Sequence, residues 1–474
     1  MKNNQTGKPS WSACDFDPTM RCASFPVPID YHNADSPQIE LPVAMKPAKD
    51  PTRKLGTLVV NFGGPGEHHS TVLAEEDPTL DQLQERFDLV AFDTRDTLLK
   101  CDSNLVNLQD AMPIVLEDQR AYQHRAQFNA ALADSCRQMS GPLFDHVSSA
   151  DIAHDVDEAR KFLGEPQITF YGISYGTVIG QAYARTYPHN LRALILDSVV
   201  DQSLRATEMI SSAARAQEEN LLTAARLCEQ DASCPVSGPA VRARLNAVFT
   251  AAQEGRLTGD AGVIRTDNLL KQLYMEGTED TWRDKLELLN SYTIIEQSPG
   301  NEPYWPELPT HPGEPVPEPR PTTLLCTDWD MGTDTPQHAT DLWNISKKAA
   351  PYTRGNAWYQ EWTARCAGWP QPTSRSPQPQ PTADNPPVLI VNSRYDVATS
   401  HEWAERTADR TSGARLVTYE GAGHGLSKIG SSCVTGHITR FATTLRLPAK
   451  NATCASVHGP ASKQPNQARA TDHR

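Results

Sequence analysis

Short unbroken apolar runs alternate along this chain with stretches whose apolar residues recur every three or four positions. "LGTLVVNFGGPG" (55–66) is a β-branched run that breaks into glycines, the pattern of a buried strand ending in a loop. "FDLVAFD" (87–93) reads as a second such strand. "DIAHDVDEARKFLG" (151–164) has helical spacing. Ile152, Val156, Ala159, Phe162 and Leu163 share one face, and Gly164 closes the helix. "QITFYGISYG" then predicts strand and sharp turn, followed by a helix over 177–187 that Pro188 ends. "LRALILDSVV" (191–200) is another buried strand. Strands alternating with helices predict an α/β class with a mainly parallel sheet.

From about residue 203 to 380 the pattern changes. "ATEMISSAARAQEENLLTAARLCEQ", "GPAVRARLNAVFTAAQEG", "HATDLWNISKKAA" and "NAWYQEWTARCAGW" predict amphipathic helices with no strands between them. "PPVLIVNSRYD" (386–396) resumes the strand pattern. A helix over "EWAERTADRT" and a last strand and loop, "ARLVTYEGAGHG", follow. The expected organisation is a core of residues 1–202 and 383–474, interrupted by a helical cap over 203–382. Two proline-rich stretches, 298–322 and 369–387, fit neither helix interior nor central strand and read as extended connections.

"YGISYGT" (171–177) carries the candidate chemistry. Gly-x-Ser-x-Gly between a strand and a helix is a nucleophile elbow, in which small neighbours let a strained turn close around the serine. A serine hydroxyl is a weak nucleophile, so Ser174 needs a base and the base needs an orienting acid. Asp396 directly follows a strand. His424 lies in a glycine-flanked loop after the next strand, so both can reach neighbouring strand ends. Asp197, at the end of "ALILD", is the second candidate acid. Acyl transfer also needs donors for the oxyanion. The backbone N–H of Tyr175 is one candidate. Gly64 in "NFGGPG" is the other, with Gly63 its alternative.

Composition narrows the classes. The chain has 474 residues and a net charge of −14, with no basic block, which argues against nucleic acid and anionic membrane partners. No apolar run reaches the ~18–20 residues of a membrane span. His68-His69 is a possible metal pair, but adjacent residues point apart in extended chain and no carboxylate follows at ligand spacing. No metal and no cofactor is expected. The ten cysteines form no Cys-x-x-Cys pattern and suit disulfides of an exported protein. The first residues, "MKNNQTGKPSWSAC", hold no apolar stretch of a signal peptide, so the compartment stays open.

"GTLVVNFGGPG", "FDLVAFDTR", "YGISYGT", "LILDSVVD", "LLCTDW", "NSRYDVATSHEWA" and "RLVTYEGAGHG" together resemble the α/β-hydrolase serine peptidases related to proline iminopeptidase, in the actinobacterial tripeptidyl-aminopeptidase-like branch. The resemblance spans roughly residues 10–455. It implies an α/β-hydrolase fold with a helical cap inserted after strand 6. It implies a Ser174–Asp396–His424 triad and an acyl-enzyme, cleaving a small or short-peptide substrate near a free N-terminus. It also implies export, with disulfides Cys14–Cys22, Cys101–Cys136, Cys228–Cys234, Cys326–Cys366 and Cys433–Cys454.

The chain departs from that family at the rim. Phe62 stands before the glycines where Pro or His is usual. Glu67 and its neighbours follow where small residues are usual, and Asp96 and Leu98 replace two glycines in "DTRDTLLKC". Phe62, Glu67 and Asp96 are therefore candidate substrate-pocket residues, Glu67 as a grip on a substrate amine. The same changes keep a second function open: an esterase, acyltransferase or cyclase of natural-product metabolism on the same triad. A binding protein on an inactive scaffold is a third.

Overall fold

A computed structural model describes residues 10–229, 238–260, 262–299, 306–318, 321–331, 333–370, 378 and 386–458. The apolar runs become the strands β1 (Arg21–Pro28), β2 (Gln38–Lys46), β3 (Thr57–Asn61), β4 (Asp88–Phe92), β5 (Ile168–Ile173), β6 (Leu191–Asp197), β7 (Val388–Ser393) and β8 (Arg415–Glu420). Their order across one sheet is β1-β2-β4-β3-β5-β6-β7-β8. Ser12–Ala13 extends one edge and Ala452–Ala455 the other. β2 runs antiparallel to both its neighbours, and every pairing from β4 to β8 is parallel.

Burial follows position. Every residue of β3, β5 and β7 is buried, as expected for strands covered on both faces. β1 mixes buried and exposed positions because it lies near an edge. Successive residues supply opposite faces: Ile168 and Phe170 enter one core cluster, Tyr171 and Ile173 the other. Helices α1 (Ser149–Phe162) and α2 (Gly176–Thr186) cover the first face. Val434, Ile438 and Phe441 of the helix Ser432–Thr444 cover the second. α1 begins two residues earlier than the apolar spacing alone predicts, because the Ser148 hydroxyl accepts from the Asp151 N–H and caps it.

β6 and β7 are neighbours in the sheet although residues 198–387 separate them in sequence. That stretch holds α3 (Ala206–Glu229), α4 (Thr322–Asp328) and α5 (Ala357–Cys366), among other helices. Many of its apolar side chains form a separate core that includes Leu245, Phe249, Leu269, Leu286 and Leu289. The expectation of helices without strands is corrected here. Leu257–Gly259 pairs with Gly262–Val263 and with Thr293–Ile294, and Pro315–Pro317 pairs with Lys100–Asp102. Strands of two or three residues are too short to show an alternating pattern.

Four expected disulfides are present: Cys14–Cys22, Cys101–Cys136, Cys326–Cys366 and Cys433–Cys454. The fifth expected pair includes Cys234, which lies outside the described residues.

A buried ion pair ties the first strands to α1. Arg95 donates to Asp155 from Nε (2.8 Å) and Nη2 (2.6 Å), and its Nη1 reaches the carbonyls of Ile29 and His146. The Tyr31 hydroxyl also donates to Asp155. Removing one member strands a buried charge. Arg95→Met is expected to cost about 3–5 kcal/mol in denaturant unfolding, and Arg95→Met with Asp155→Leu to recover part of that loss. A loss under about 1 kcal/mol for Arg95→Met would show the pair to be dispensable.

Candidate active site

Five strand ends meet at one edge of the sheet. Ser174 follows β5 at φ 55°, a left-handed conformation that costs a residue with a Cβ about 1–3 kcal/mol. The surrounding backbone leaves it little choice. The Ser174 N–H donates to the Asp197 carbonyl at 2.9 Å, and the Ser174 carbonyl accepts from the Thr177 N–H and hydroxyl. The flanking glycines are needed for space. A Cβ on Gly172 would collide with the Gly176 carbonyl, and one on Gly176 with the Asn61 carbonyl. Gly63, in the loop after β3, approaches so closely that its Cβ would lie 2.6 Å from the Ile173 carbonyl and 2.8 Å from the Ser174 Cβ. The Gly-Gly-Pro-Gly loop and the serine turn are thus packed backbone against backbone.

Asp396 follows β7 and is buried. Its Oδ1 accepts the N–H groups of Ala398 (2.9 Å) and Thr399 (2.8 Å), and its Oδ2 the Thr399 hydroxyl. These bonds fix the carboxylate facing the loop after β8. There His424 Nδ1 lies 3.0 Å from Oδ2 and 3.2 Å from Oδ1. An ionised carboxylate can only accept, so Nδ1 carries the proton and Nε2 is the ring nitrogen left to exchange protons. Burial disfavours the charged ring. The neighbouring Asp396 carboxylate outweighs it and raises the His424 pKa to about 9.

Asp197, the other candidate acid, is engaged elsewhere. Its carboxylate accepts the N–H groups of Leu426 (2.9 Å) and Ser427 (3.1 Å) and the Tyr171 hydroxyl. Ser198 adds a bond from the Gly425 N–H. Burial, opposed by these bonds, lifts the Asp197 carboxyl to about 6. Asp197 therefore holds the loop that carries His424, while Asp396 contacts the ring.

Ser174, His424, Gly64 and Tyr175 line one cavity of 440 Å³. Phe62 and Glu67 line it too. Asp96 is not among the lining residues. It is fully buried and accepts the Gly66 N–H at 2.9 Å, so it braces the glycine loop from beneath. Burial raises its pKa despite that bond. Of the two adjacent histidines, His68 pairs with Asp93 through Nδ1 at 2.8 Å, whereas His69 is buried beside Phe62.

Part of the cavity wall was not legible from motifs. Tyr274 and Glu276, and Trp358, Tyr359 and Trp362 in or beside α5, complete it from the inserted stretch. The carboxylates facing it are unequal. Glu75 is paired with Lys428, whereas Glu67 and Glu276 form no ion pair among the described residues.

Residues 350–454 match the family described as TAP-like protein. Nearly the whole chain aligns with curated relatives. It is 25% identical to serine protease Hip1 of Mycobacterium tuberculosis, over 96% of this chain and 92% of that one. It is 24% identical to the tripeptidyl aminopeptidase of Streptomyces lividans, over 94% and 86%, and 24% identical to carboxylesterase B of Mycobacterium tuberculosis, over 94% and 90%. With the α/β-hydrolase fold, these likenesses identify the chain as a serine hydrolase.

The His424–Asp396 contact makes stability depend on pH. Because the folded pKa is raised, its contribution is fully present below the unfolded value of 6.5 and is lost as pH rises through about 9. The denaturant midpoint should fall across that window in the wild type, and fall less in Asp396→Asn. Identical pH slopes in the two proteins would contradict the assignment.

Proposed function

We propose that this serine hydrolase works through Ser174, His424 and Asp396, forming an acyl-enzyme on Ser174, and cleaves an amide bond near a free N-terminus. The observation that carries the reading is the 3.0 Å contact of His424 with Asp396, made where His424 and Ser174 line the same cavity. Ser174 Oγ attacks the substrate carbonyl carbon while Nε2 of the uncharged His424 ring, the form that becomes populated as pH rises toward about 9, takes its proton. The oxygen becomes negative and is held by the N–H groups of Tyr175 and Gly64. The tetrahedral species collapses, the C–N bond breaks, and the leaving amine takes the proton from His424. Water then enters. His424 removes its proton, hydroxide adds to the ester, and Ser174 leaves with the proton returned.

Asp396 keeps the proton on Nδ1 and stabilises the charged ring that forms in each half-reaction. The inserted stretch, 203–382, acts as a cap. Its Tyr274, Trp358, Tyr359 and Trp362 line the cavity and limit the length of substrate admitted. Glu67 and Glu276 favour a cationic group there, which supports recognition of a free amine. Phe62 lines the same cavity and shapes it.

A second reading, ester hydrolysis on the same machinery, is favoured by the likeness to carboxylesterase B. An acyltransferase or cyclase differs from both only in the nucleophile that receives the acyl group.

A fluorophosphonate probe is expected to label the wild type and not Ser174→Ala, with turnover in the variant lower by about 10⁴–10⁶-fold. Tripeptidyl and aminoacyl chromogenic amides should be hydrolysed, and blocking their N-termini should abolish turnover. Turnover of esters alone, indifferent to N-blocking, would replace the aminopeptidase reading with the esterase one.

A further inference from the structure

The inserted stretch reaches the serine turn by a polar contact as well as by apolar walls. Asp328 is the last residue of α4 and is buried. Its Oδ2 accepts the hydroxyl of Tyr175 at 2.5 Å. Its two oxygens also accept the N–H of Ser149, at 2.9 and 3.2 Å, at the start of α1. One carboxylate from the inserted stretch therefore joins the residue after Ser174 to the N-terminus of a core helix, where the helix dipole favours negative charge.

The surroundings make this contact rigid. Tyr175 is buried, and its ring lies 6.4 Å from Trp362 of α5. Trp362 also packs edge-on against Trp329 at 5.3 Å, next to Asp328 in sequence. Cys326–Cys366 joins α4 to α5 covalently. Burial, reinforced by Asp328, holds the Tyr175 pKa well above its usual value, so the phenol stays a donor. Burial also raises Asp328 to about 6, partly offset by the bonds from Tyr175 and Ser149.

Tyr175 is held by the Val178 N–H, which donates to its carbonyl, by Trp362 against its ring and by Asp328 at its hydroxyl. It sits at φ −59°, ψ −24°, at the start of α2, directly after the strained serine. A rotation about its peptide would swing the N–H away from an oxyanion. A side chain clamped at its far end resists that rotation.

We infer that Asp328 is a positioning residue that, through the Tyr175 hydroxyl, aims the Tyr175 N–H at the oxyanion and so makes the docked inserted stretch part of the catalytic centre. The inference rests on the proposed role of Ser174. It goes further by assigning to the inserted stretch a part in the chemical step as well as in substrate selection. Asp328 touches neither substrate nor reacting atoms.

The test compares Tyr175→Phe, Asp328→Asn and the double variant, using the chromogenic substrate that the wild type turns over fastest. Tyr175→Phe keeps the ring packing and removes only the clamped hydroxyl. Each single variant is expected to lose about 10–100-fold in kcat with KM changed less than about twofold, as for an interaction felt only in the transition state. The double variant should be no worse than the poorer single one. Inhibition by a peptide boronate, whose tetrahedral adduct occupies the oxyanion position, should weaken by a similar factor. Unchanged kcat and boronate affinity in Tyr175→Phe would overturn the inference, and this variant decides the matter alone if Asp328→Asn does not fold. A rise in KM with kcat intact would also overturn it, because the contact would then serve binding only. Ser174→Ala separates the two levels. If it is inactive while Tyr175→Phe is normal, only the inference falls; if it keeps full turnover, the underlying reading falls too.

Discussion

The site depends on one turn that backbone packing forces into a left-handed conformation. Ser174 holds φ 55° because the segments around it approach more closely than side chains would allow. Gly172 faces the Gly176 carbonyl, Gly176 faces Asn61, and Gly63 meets both Ile173 and Ser174. One set of close contacts thus aims the serine side chain and brings the Gly63–Gly64 loop beside it. The strain, about 1–3 kcal/mol, is small against the burial of β3, β5 and β6 that imposes it.

The other strand ends serve that turn. Asp197 accepts the N–H groups of Leu426 and Ser427 and so fixes the loop that presents His424. Asn392 in β7 accepts the Val199 N–H and donates to the Thr399 carbonyl, joining the loop after β6 to the loop that holds Asp396. These are hydrogen bonds between buried groups, where a lost partner costs about 1–3 kcal/mol. A parallel sheet brings the loops together because its strand ends lie side by side.

How much of this was legible in the sequence follows from which features are local. The strands β3 to β8, the elbow around Ser174 and the glycine loop are contiguous patterns, and each could be read from its own residues. Asp396 and His424 lie three and four positions beyond β7 and β8, so the strand pattern places both loops, while the 3.0 Å contact between them is a product of the fold. Asp96 was misplaced for a physical reason: whether a loop carboxylate faces solvent or accepts a buried N–H, here that of Gly66, is decided by tertiary packing. The wall formed by Tyr274, Trp358, Tyr359 and Trp362 was missed because aromatic residues at helical spacing look the same whether they fill a core or line a cavity. Asp328 was missed for a similar reason. Nothing in "LLCTDW" reveals that its carboxylate meets a phenol 153 positions away.

We propose that chemistry occurs at Ser174, with the oxyanion between the Tyr175 and Gly64 amides. The most direct measurement is a crystal structure of the protein inactivated by a peptide phosphonate with a free N-terminus. Phosphorus is expected to be bonded to Ser174 Oγ, with a phosphoryl oxygen about 2.7–3.1 Å from both amide nitrogens and the peptide ammonium facing Glu67 or Glu276. An adduct on another residue, or a phosphoryl oxygen pointing away from both amides, would contradict it.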